Sequence, residues 1–132
     1  MNNLELTQEI FVRFGNADID AIAELLHDDC VIDFYGPDEI PYAGNYVGKD
    51  NCRKFFETVL SNVNVHEFEA EEFFHQGDGV FVVGRLRLTT KATGGEIKSA
   101  FVQIIDCKDG KWIGFKEIMN SAVAQQAFTG AN

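Results

Sequence analysis

The sequence predicts an α+β fold in which N-terminal helices pack on a strongly curved, mainly antiparallel sheet, giving a cone-shaped barrel. The first half of the chain has apolar residues at helical spacing, whereas the second half has four runs with strand-like alternation joined by short turns. Helices first and a sheet last is an α+β arrangement. Phenylalanine is also abundant, with 12 in 132 residues spread over the predicted elements, which suits a wide core or an apolar cavity.

Three helices and one strand are predicted in the first half. The apolar positions of the first helix recur at nearly helical spacing, and Gly15 with Asn16 ends it. Asp18 is a suitable cap for the second helix, and Asp50 lies in the first turn of the third, where a carboxylate suits the helix dipole. The predicted bounds are Leu4–Phe14, Asp18–Leu26 and Lys49–Asn62 for the helices, Cys30–Tyr35 for the strand and Gly36–Gly48 for the loop before the third helix.

Four strands follow, and their short connections predict an antiparallel meander. Glycine and aspartate occupy the tight turns at Gly77-Asp78-Gly79 and Lys108-Asp109-Gly110. We expect one domain over residues 1–132, with no internal repeat. The predicted strands are Val65–Gln76, Gly79–Thr90, Glu96–Cys107 and Lys111–Asn120, and the tail is expected to carry a short helix over Ala122–Phe128 and a frayed end at Thr129–Asn132.

Composition excludes several partners. The net charge is −10 and the pI about 4.6, so the surface repels phosphate backbones, and neither nucleic acid nor an anionic membrane is an expected partner. The start of the chain lacks the pattern of a signal peptide, and no apolar run approaches the roughly 18 residues of a membrane span. The glutamates at 67, 69, 71 and 72 are expected to form a solvated strand face.

The cysteines and histidines predict neither a disulfide framework nor a metal site. The three cysteines are odd in number and lack C-x-x-C spacing, so we expect reduced thiols in a cytoplasmic protein. The histidines show no zinc-ligand spacing. No cofactor is expected. The residues concerned are Cys30, Cys52 and Cys107, and His27, His66 and His75.

Arg85 and Arg87 are the most informative residues, because they interrupt a run that otherwise has the composition of a buried strand. Alternation places them on one face with Phe81 and Val83. Two cations on a mostly apolar face are costly unless they are paired, and Glu117 on the last strand is a candidate partner. The pattern predicts a polar spot in an apolar pocket. The alternative is a structural ion pair, or arginines whose stems pack while their heads reach water.

The chain resembles the nuclear transport factor 2-like superfamily, in its SnoaL-like and ketosteroid isomerase-like branch. The resemblance covers roughly residues 4–128. It is carried by HDDCVIDFYG (27–36), PYAGNYVGKDNCRKFF (41–56), GDGVFVVGRLRLTTKATGG (77–95) and CKDGKWIGFKEIMNSA (107–122). This superfold hosts isomerases, cyclases, epoxide hydrolases, dehydratases and binding proteins, so it implies a fold more strongly than a function.

The resemblance implies a deep pocket and a homodimer through the outer face of the sheet. We expect Val82, Leu86, Leu88, Phe101, Gln103 and Ile105 to face outward, or the C-terminal tail to cover one side. Tyr42 and Tyr46 are expected either to form a lid at the pocket mouth or to pack as loop aromatics on the third helix. The expected ligand-binding residues are Ile32, Phe34, Tyr42, Tyr46, Phe56, Phe81, Val83, Val102, Phe115, Met119 and Asn120, with Ala100 and Ile104 on the same strand face as Val102 and the charged residues Arg85, Arg87 and Glu117 among them.

The residues that carry chemistry in related enzymes are only partly present. By the resemblance, ketosteroid isomerases place acids where this chain has Phe34 and Val102, and SnoaL-type cyclases place an acid where it has Asn120. Limonene-type epoxide hydrolases match at Arg85 and Glu117, but Arg87 stands in place of an acid and Ile32 in place of a water-holding side chain. One acid and two arginines remain.

Two functions are therefore predicted. The first is a module that binds a small apolar or aromatic ligand, with Arg85 and Arg87 holding a carboxylate or other anionic group. The second is an enzyme of isomerase, cyclase, dehydratase or epoxide-hydrolase type. In it Glu117 is the catalytic general acid or base, and Arg85 and Arg87 stabilise an oxyanion. The remaining alternative is a purely structural role, in which Glu117 only neutralises the arginines.

Overall fold

The structure is a computed structural model that describes residues 1–130. Within these residues the chain forms four helices and six strands. Two helices, two strands and a third helix precede the four strands of the meander, and a fourth helix follows it. The helices are α1 (Asn3–Gly15), α2 (Ile19–Ala23), α3 (Lys49–Asn62) and α4 (Ser121–Thr129), and the strands are β1 (Leu26–Phe34), β2 (Gly44–Val47), β3 (Val63–Gln76), β4 (Gly79–Thr90), β5 (Glu96–Lys108) and β6 (Lys111–Met119).

The strands form one sheet in the order β2-β1-β6-β5-β4-β3. All neighbouring pairs are antiparallel except β1 and β6, which run parallel. β2 and β3 are the two edges, so the sheet curls around the helices without closing. The predicted α+β class and its mainly antiparallel sheet are confirmed.

The helix caps follow from local sequence. Asn2 and Glu5 form a reciprocal capping box at the start of α1, since each side chain accepts a hydrogen bond from the other residue's backbone N–H. Asp18 accepts from the backbone N–H of Ala21 at 3.1 Å and caps α2, as predicted. These caps fix the helices that cover the concave face of the sheet.

Two element predictions were wrong. β1 begins at Leu26 rather than Cys30, because Leu26 already pairs with Trp112. The register shifts between Leu26 and Val31, and the polar residues at this shift are the reason that the sequence predicts a turn there. β2 lies within the predicted loop, pairing Val47 with Val31. It is short and mostly exposed, so it carries no apolar alternation. At the other end, α4 extends to Thr129, and the last two residues of the predicted frayed end lie outside the described part of the chain.

The sheet bends where β3 meets β4. β3 has two register shifts against β4, between Val65 and Glu67 and between Ala70 and Glu72, and such bulges bend a strand and increase its twist. Gly84 lies opposite Ala70, and a Cβ atom at Gly84 would lie 2.1 Å from the Glu69 carbonyl oxygen and 2.6 Å from the Phe101 ring. The bend therefore needs glycine at this position.

The core lies between the concave face of the sheet and the helices α1 and α3. Trp112 is buried against α1, and its ring N–H donates to the buried Thr7 hydroxyl at 3.1 Å. No helix within residues 1–130 has the length and apolar character needed to span a bilayer. The buried side chains that β4 and β5 contribute are Val80, Val82, Leu86, Leu88, Thr90, Ile97, Phe101, Gln103, Ile105 and Cys107.

Candidate functional site

An apolar cavity lies between α1, α3 and the concave face of the sheet. Aromatic rings from both helices and from β1, β3 and β6 form most of its wall, and Gln103 and Glu117 contribute a side-chain amide and a carboxyl group to it. The lining residues are Phe11, Phe14, Phe34, Tyr42, Phe55, Phe56, Phe68, Trp112 and Phe115, with Ile10, Val59, Leu86, Leu88, Gln103, Glu117 and Met119.

The cavity is small and opens to solvent. The centre of a water molecule has about 50 Å³ in which to move, within about 610 Å³ of non-atom space that includes the opening to solvent. Since one water needs on the order of 10–15 Å³ of such space, the cavity holds a few waters or one small chemical group. A larger ligand requires some of the lining rings to rotate.

Glu117 is the buried acid of this cavity. Its side chain comes from β6, only 7% of the residue is exposed, and its Oε1 accepts a hydrogen bond from Gln103 Nε2 at 2.7 Å. Burial raises the pKa of the carboxyl group from 4.5 to about 7, although the hydrogen bond from Gln103 lowers it in part. The group can therefore hold or release a proton near neutral pH.

Gln103 is the neutral hydrogen-bond partner of Glu117, and one of its own side-chain atoms has no partner. It lies directly opposite Glu117 in the pairing of β5 with β6. Its amide N–H is satisfied by Glu117, but its Oε1 is buried and has no hydrogen-bond partner within residues 1–130. A buried acceptor without a partner costs about 1–3 kcal/mol.

Tyr42 places a phenol in the same wall. Its ring packs edge-on against Phe34, with the centroids 5.0 Å apart. Burial, and secondarily the negative charge of Glu117, raise the pKa of the Tyr42 hydroxyl above its ordinary value. The phenol therefore stays protonated and is a potential hydrogen-bond donor to a ligand.

The predicted pairing of the arginines with Glu117 is wrong. Arg85 is 56% exposed and forms ion pairs with Glu67 and Glu69, with both N–O distances at 3.0 Å. Arg87 is opposite Glu67 in the register of β3 and β4. Both arginines lie on the convex face of the sheet, and neither lines the cavity. For Arg85 the structure thus matches the alternative of a structural ion pair.

The other residues of β4 and β5 also lie on the opposite face of the sheet from the one predicted. Phe81, Val83 and Val102 also lie on the convex face, and Val102 is 37% exposed. Ala100 and Ile104 share that face. The residues expected to face outward point inward instead: Val82, Leu86, Leu88, Phe101, Gln103 and Ile105 are all buried.

The prediction exchanged the concave and convex faces because both faces of β4 carry apolar side chains. Alternation alone could not decide between the face with Phe81 and Val83 and the face with Val82 and Leu86. The desolvation cost of a cation decides it, because Arg85 loses less by staying in water beside two glutamates. Gln103 was missed as a site residue for this reason. Its position two residues from Phe101 and from Ile105 was the available signal.

Some of the other predicted site residues line the cavity, and the rest lie in the core or in the elements around it. Phe34, Tyr42, Phe56, Phe115, Glu117 and Met119 line the cavity. Ile32 is buried in the core but does not line it. The Tyr46 hydroxyl donates to the Tyr42 carbonyl at 3.0 Å and so supports the loop from behind. Asn120 caps α4, its side chain accepting from the Val123 N–H at 3.4 Å.

The remaining reactive groups lie away from the cavity. Cys30, Cys52 and Cys107 are buried free thiols, and the Cys52 thiol donates to the Cys30 carbonyl at 3.2 Å. Within residues 1–130 no three His, Cys, Asp or Glu side chains converge as metal ligands would. The chemistry available to the cavity is therefore that of a carboxyl group, an amide and a phenol.

Comparison with known proteins identifies the class. The model of the SnoaL-like domain family matches residues 7–115, so the chain belongs to the SnoaL-like family. No curated protein matches it significantly.

Solved structures show the same fold at low identity. A nuclear transport factor 2-like protein from Burkholderia xenovorans LB400 is 21% identical, with a TM-score of 0.86 over 96% of this chain and 95% of that one. A proposed isomerase from Rhodopseudomonas palustris is 16% identical, with a TM-score of 0.84 over 98% of both chains. A proposed SnoaL-like polyketide cyclase from Jannaschia sp. CCS1 is 17% identical, with a TM-score of 0.79 over 96% of this chain and 91% of that one.

Proposed function

We propose that this protein binds a small apolar or aromatic molecule in the cavity, with Glu117 and Gln103 as its polar contacts. The observation that carries the proposal is a carboxyl group buried in an aromatic wall, with a neutral amide as its hydrogen-bond partner. A concave, mostly apolar site with a few convergent polar groups is typical of ligand pockets. A titratable group with a strongly shifted pKa is enriched at such sites.

The expected recognition of an anionic group loses its support. Neither Arg85 nor Arg87 lines the cavity, and the lining residues include no other cation. Ionised Glu117 would repel a bound carboxylate. The two arginines are therefore left out of both the binding and the catalytic proposal.

The second candidate function is an enzyme that uses Glu117 as a general acid or base. A pKa of about 7 supports it, because an acid–base catalyst works best when its pKa lies near the operating pH. Tyr42 is the candidate donor to a developing oxyanion. Isomerisation, cyclisation, dehydration and epoxide opening all require such a proton transfer, and two proteins of this fold are described as a proposed isomerase and a proposed polyketide cyclase.

Ligand binding is tested by thermal shift and by the fluorescence of Trp112, the single tryptophan of the chain, which lines the cavity. Small neutral aromatic compounds should raise the melting temperature and change the fluorescence. Leu86→Phe, which fills the cavity, should abolish both effects, whereas Val12→Phe on the exposed side of α1 should leave them intact. Equal responses in the two variants would contradict binding in this cavity.

The same assay separates binder from enzyme. Glu117→Gln keeps the shape of the side chain and an acceptor oxygen for Gln103, but it cannot transfer a proton. If the protein is an enzyme, the variant should bind and fail to turn over. Turnover equal to that of the wild type would exclude Glu117 as the proton-transfer group.

We also propose a homodimer through the convex face of the sheet. Phe74, Val102 and Ile118 are exposed there by 53%, 37% and 47%, and the pairing registers place them beside Phe81 and Val83. An apolar area with an adjacent cluster of paired charges suits a self-complementary contact. Ile118→Asp should shift a dimer to monomer in analytical ultracentrifugation, and Val12→Asp should not.

A cytoplasmic location is proposed on the chemistry of the thiols. The three cysteines are free and buried, as expected in a reducing compartment. Recovery of the protein from the periplasmic or secreted fraction of its host would contradict this location.

A further inference from the structure

We propose that the ligand is a neutral aromatic molecule with a phenol or enol hydroxyl, and that Gln103 recognises this hydroxyl through its free Oε1. The inference rests on the proposed binding function of the cavity and names the class of ligand. Three observations support it: the orphaned acceptor, the orientation of the amide that Glu117 imposes, and the charges of the cavity wall.

The orphaned acceptor comes first. Gln103 is 2% exposed and lines the cavity, and its Oε1 has no hydrogen-bond partner in the described part of the chain. Buried polar groups in native proteins almost always have a partner. Because Gln103 lines the cavity, a ligand O–H group that enters the cavity and shifts the side chains packed over Oε1 would satisfy this acceptor.

Glu117 fixes which end of the amide is free. Gln103 Nε2 donates to Glu117 Oε1 at 2.7 Å, so the carbonyl end is the end left over. Turning the amide over would place two acceptors against each other whenever Glu117 is ionised. While Glu117 is ionised, Gln103 therefore presents an acceptor rather than a donor, and the ligand must bring the hydrogen.

The charges of the cavity wall disfavour ligands that carry a carboxylate or an ammonium group. A carboxylate meets no cation on the cavity wall and is repelled by ionised Glu117. An ammonium would have to leave water for a wall made mainly of aromatic rings, at a high desolvation cost. A neutral hydroxyl has neither difficulty. The flat ring that bears it can pack against the aromatic wall, in which rings such as Trp112 and Phe115 already stack on each other with their centroids 5.1 Å apart.

The test compares matched probes at two sizes: 4-methylphenol, 4-methylanisole and 4-methylbenzoate, and 2-naphthol, 2-methoxynaphthalene and 2-naphthoate. In each set the hydroxyl compound should bind about 3- to 10-fold more tightly than its methyl ether, the factor that one neutral hydrogen bond contributes. The carboxylate should bind most weakly. Gln103→Met should remove the preference for the hydroxyl while retaining the ether's affinity. Gln76→Met, on the exposed end of β3, is the matched control and should keep the preference.

The outcomes separate the inference from the function on which it rests. The wild type could bind the hydroxyl compound and its ether equally tightly, with both affinities lost in the cavity-filling Leu86→Phe variant. That result would overturn the hydroxyl proposal and leave the ligand-binding proposal intact. A preference that survives Gln103→Met but disappears in Glu117→Gln would assign recognition to Glu117 and overturn the role of Gln103. Failure of every probe of both sizes to bind would overturn both proposals. Circular dichroism of each variant establishes that it is folded.

Discussion

On the convex face of the sheet, Arg85 lies between two glutamates and is 56% exposed. On the concave face, Glu117 is 7% exposed and has a neutral amide as its partner. Water screens the first group and its salt bridges, so they contribute little to stability or specificity. The second group has no such screening, and its protonation state depends on the cavity around it. Chemistry is therefore concentrated on the face that carries fewer charges.

The largest expected loss of stability comes from a substitution that disrupts the curvature of the sheet. In Gly84→Ala the new Cβ would meet a backbone carbonyl at 2.1 Å, and backbone cannot move aside as a side-chain end can. We expect a loss of about 3 kcal/mol or more in the free energy of unfolding, measured by urea titration.

Gly114→Ala on β6 is the control for that change. Its Cβ would lie 3.3 Å from a carboxylate oxygen of Asp106, which is on a side chain that can shift. The expected cost is under about 1 kcal/mol. Similar costs at the two glycines would show that Gly84 is not required for the bend between β3 and β4.

Glu117→Gln tests the effect of burial on the acid. Since the pKa is raised from 4.5 to about 7 in the folded state, the native protein keeps a proton that the unfolded chain releases. Wild-type stability therefore falls as the pH rises between about 4.5 and 7, by about 3 kcal/mol at 1.36 kcal/mol per pKa unit. The variant should lack this loss.

Urea unfolding at pH 5 and pH 8 measures the effect, since other groups cancel between the two proteins. The phenol of Tyr42 faces the acid, but its raised pKa keeps it neutral at both values. The stability of Glu117→Gln relative to wild type should rise by about 2–3 kcal/mol from pH 5 to pH 8. A difference that is independent of pH would mean that Glu117 titrates normally.

A smaller effect is expected where α1 packs on the cavity wall. Thr7→Val removes the acceptor for the buried Trp112 N–H and should cost about 1–3 kcal/mol. Thr7→Ser keeps the hydroxyl and loses only a methyl group, so the difference between the two variants isolates the hydrogen bond. Equal urea midpoints for the two would show that the bond contributes nothing.

The smallest effect is expected on the convex face. Arg85→Gln should change the affinity for 2-naphthol by less than about twofold, because an exposed ion pair is screened and lies outside the cavity. Gln103→Met provides the comparison from the concave face of the neighbouring strand. A tenfold loss of affinity in Arg85→Gln would reverse the assignment of the two faces.

Much of the fold could be predicted because it depends on local patterns. The bounds of α3 and β4 agree with the prediction, since helical spacing and tight glycine turns determine them. The parallel pairing of β1 with β6 and the edge strand β2 could not be predicted, because they depend on residues distant in the chain. The site was predicted only in part. Glu117 lies in the cavity, but the strand alternation of β4 and β5 fixes only which residues share a face. The tertiary packing determines which face is buried.

The most direct measurement is an NMR titration of the Glu117 side-chain carboxyl carbon, assigned by comparison with Glu117→Gln. A midpoint near pH 7 is the expected result for a carboxyl group buried in this wall. A midpoint near the ordinary value of 4.5 would place the group in water, and would contradict both the burial of Glu117 in the aromatic cavity and its role there.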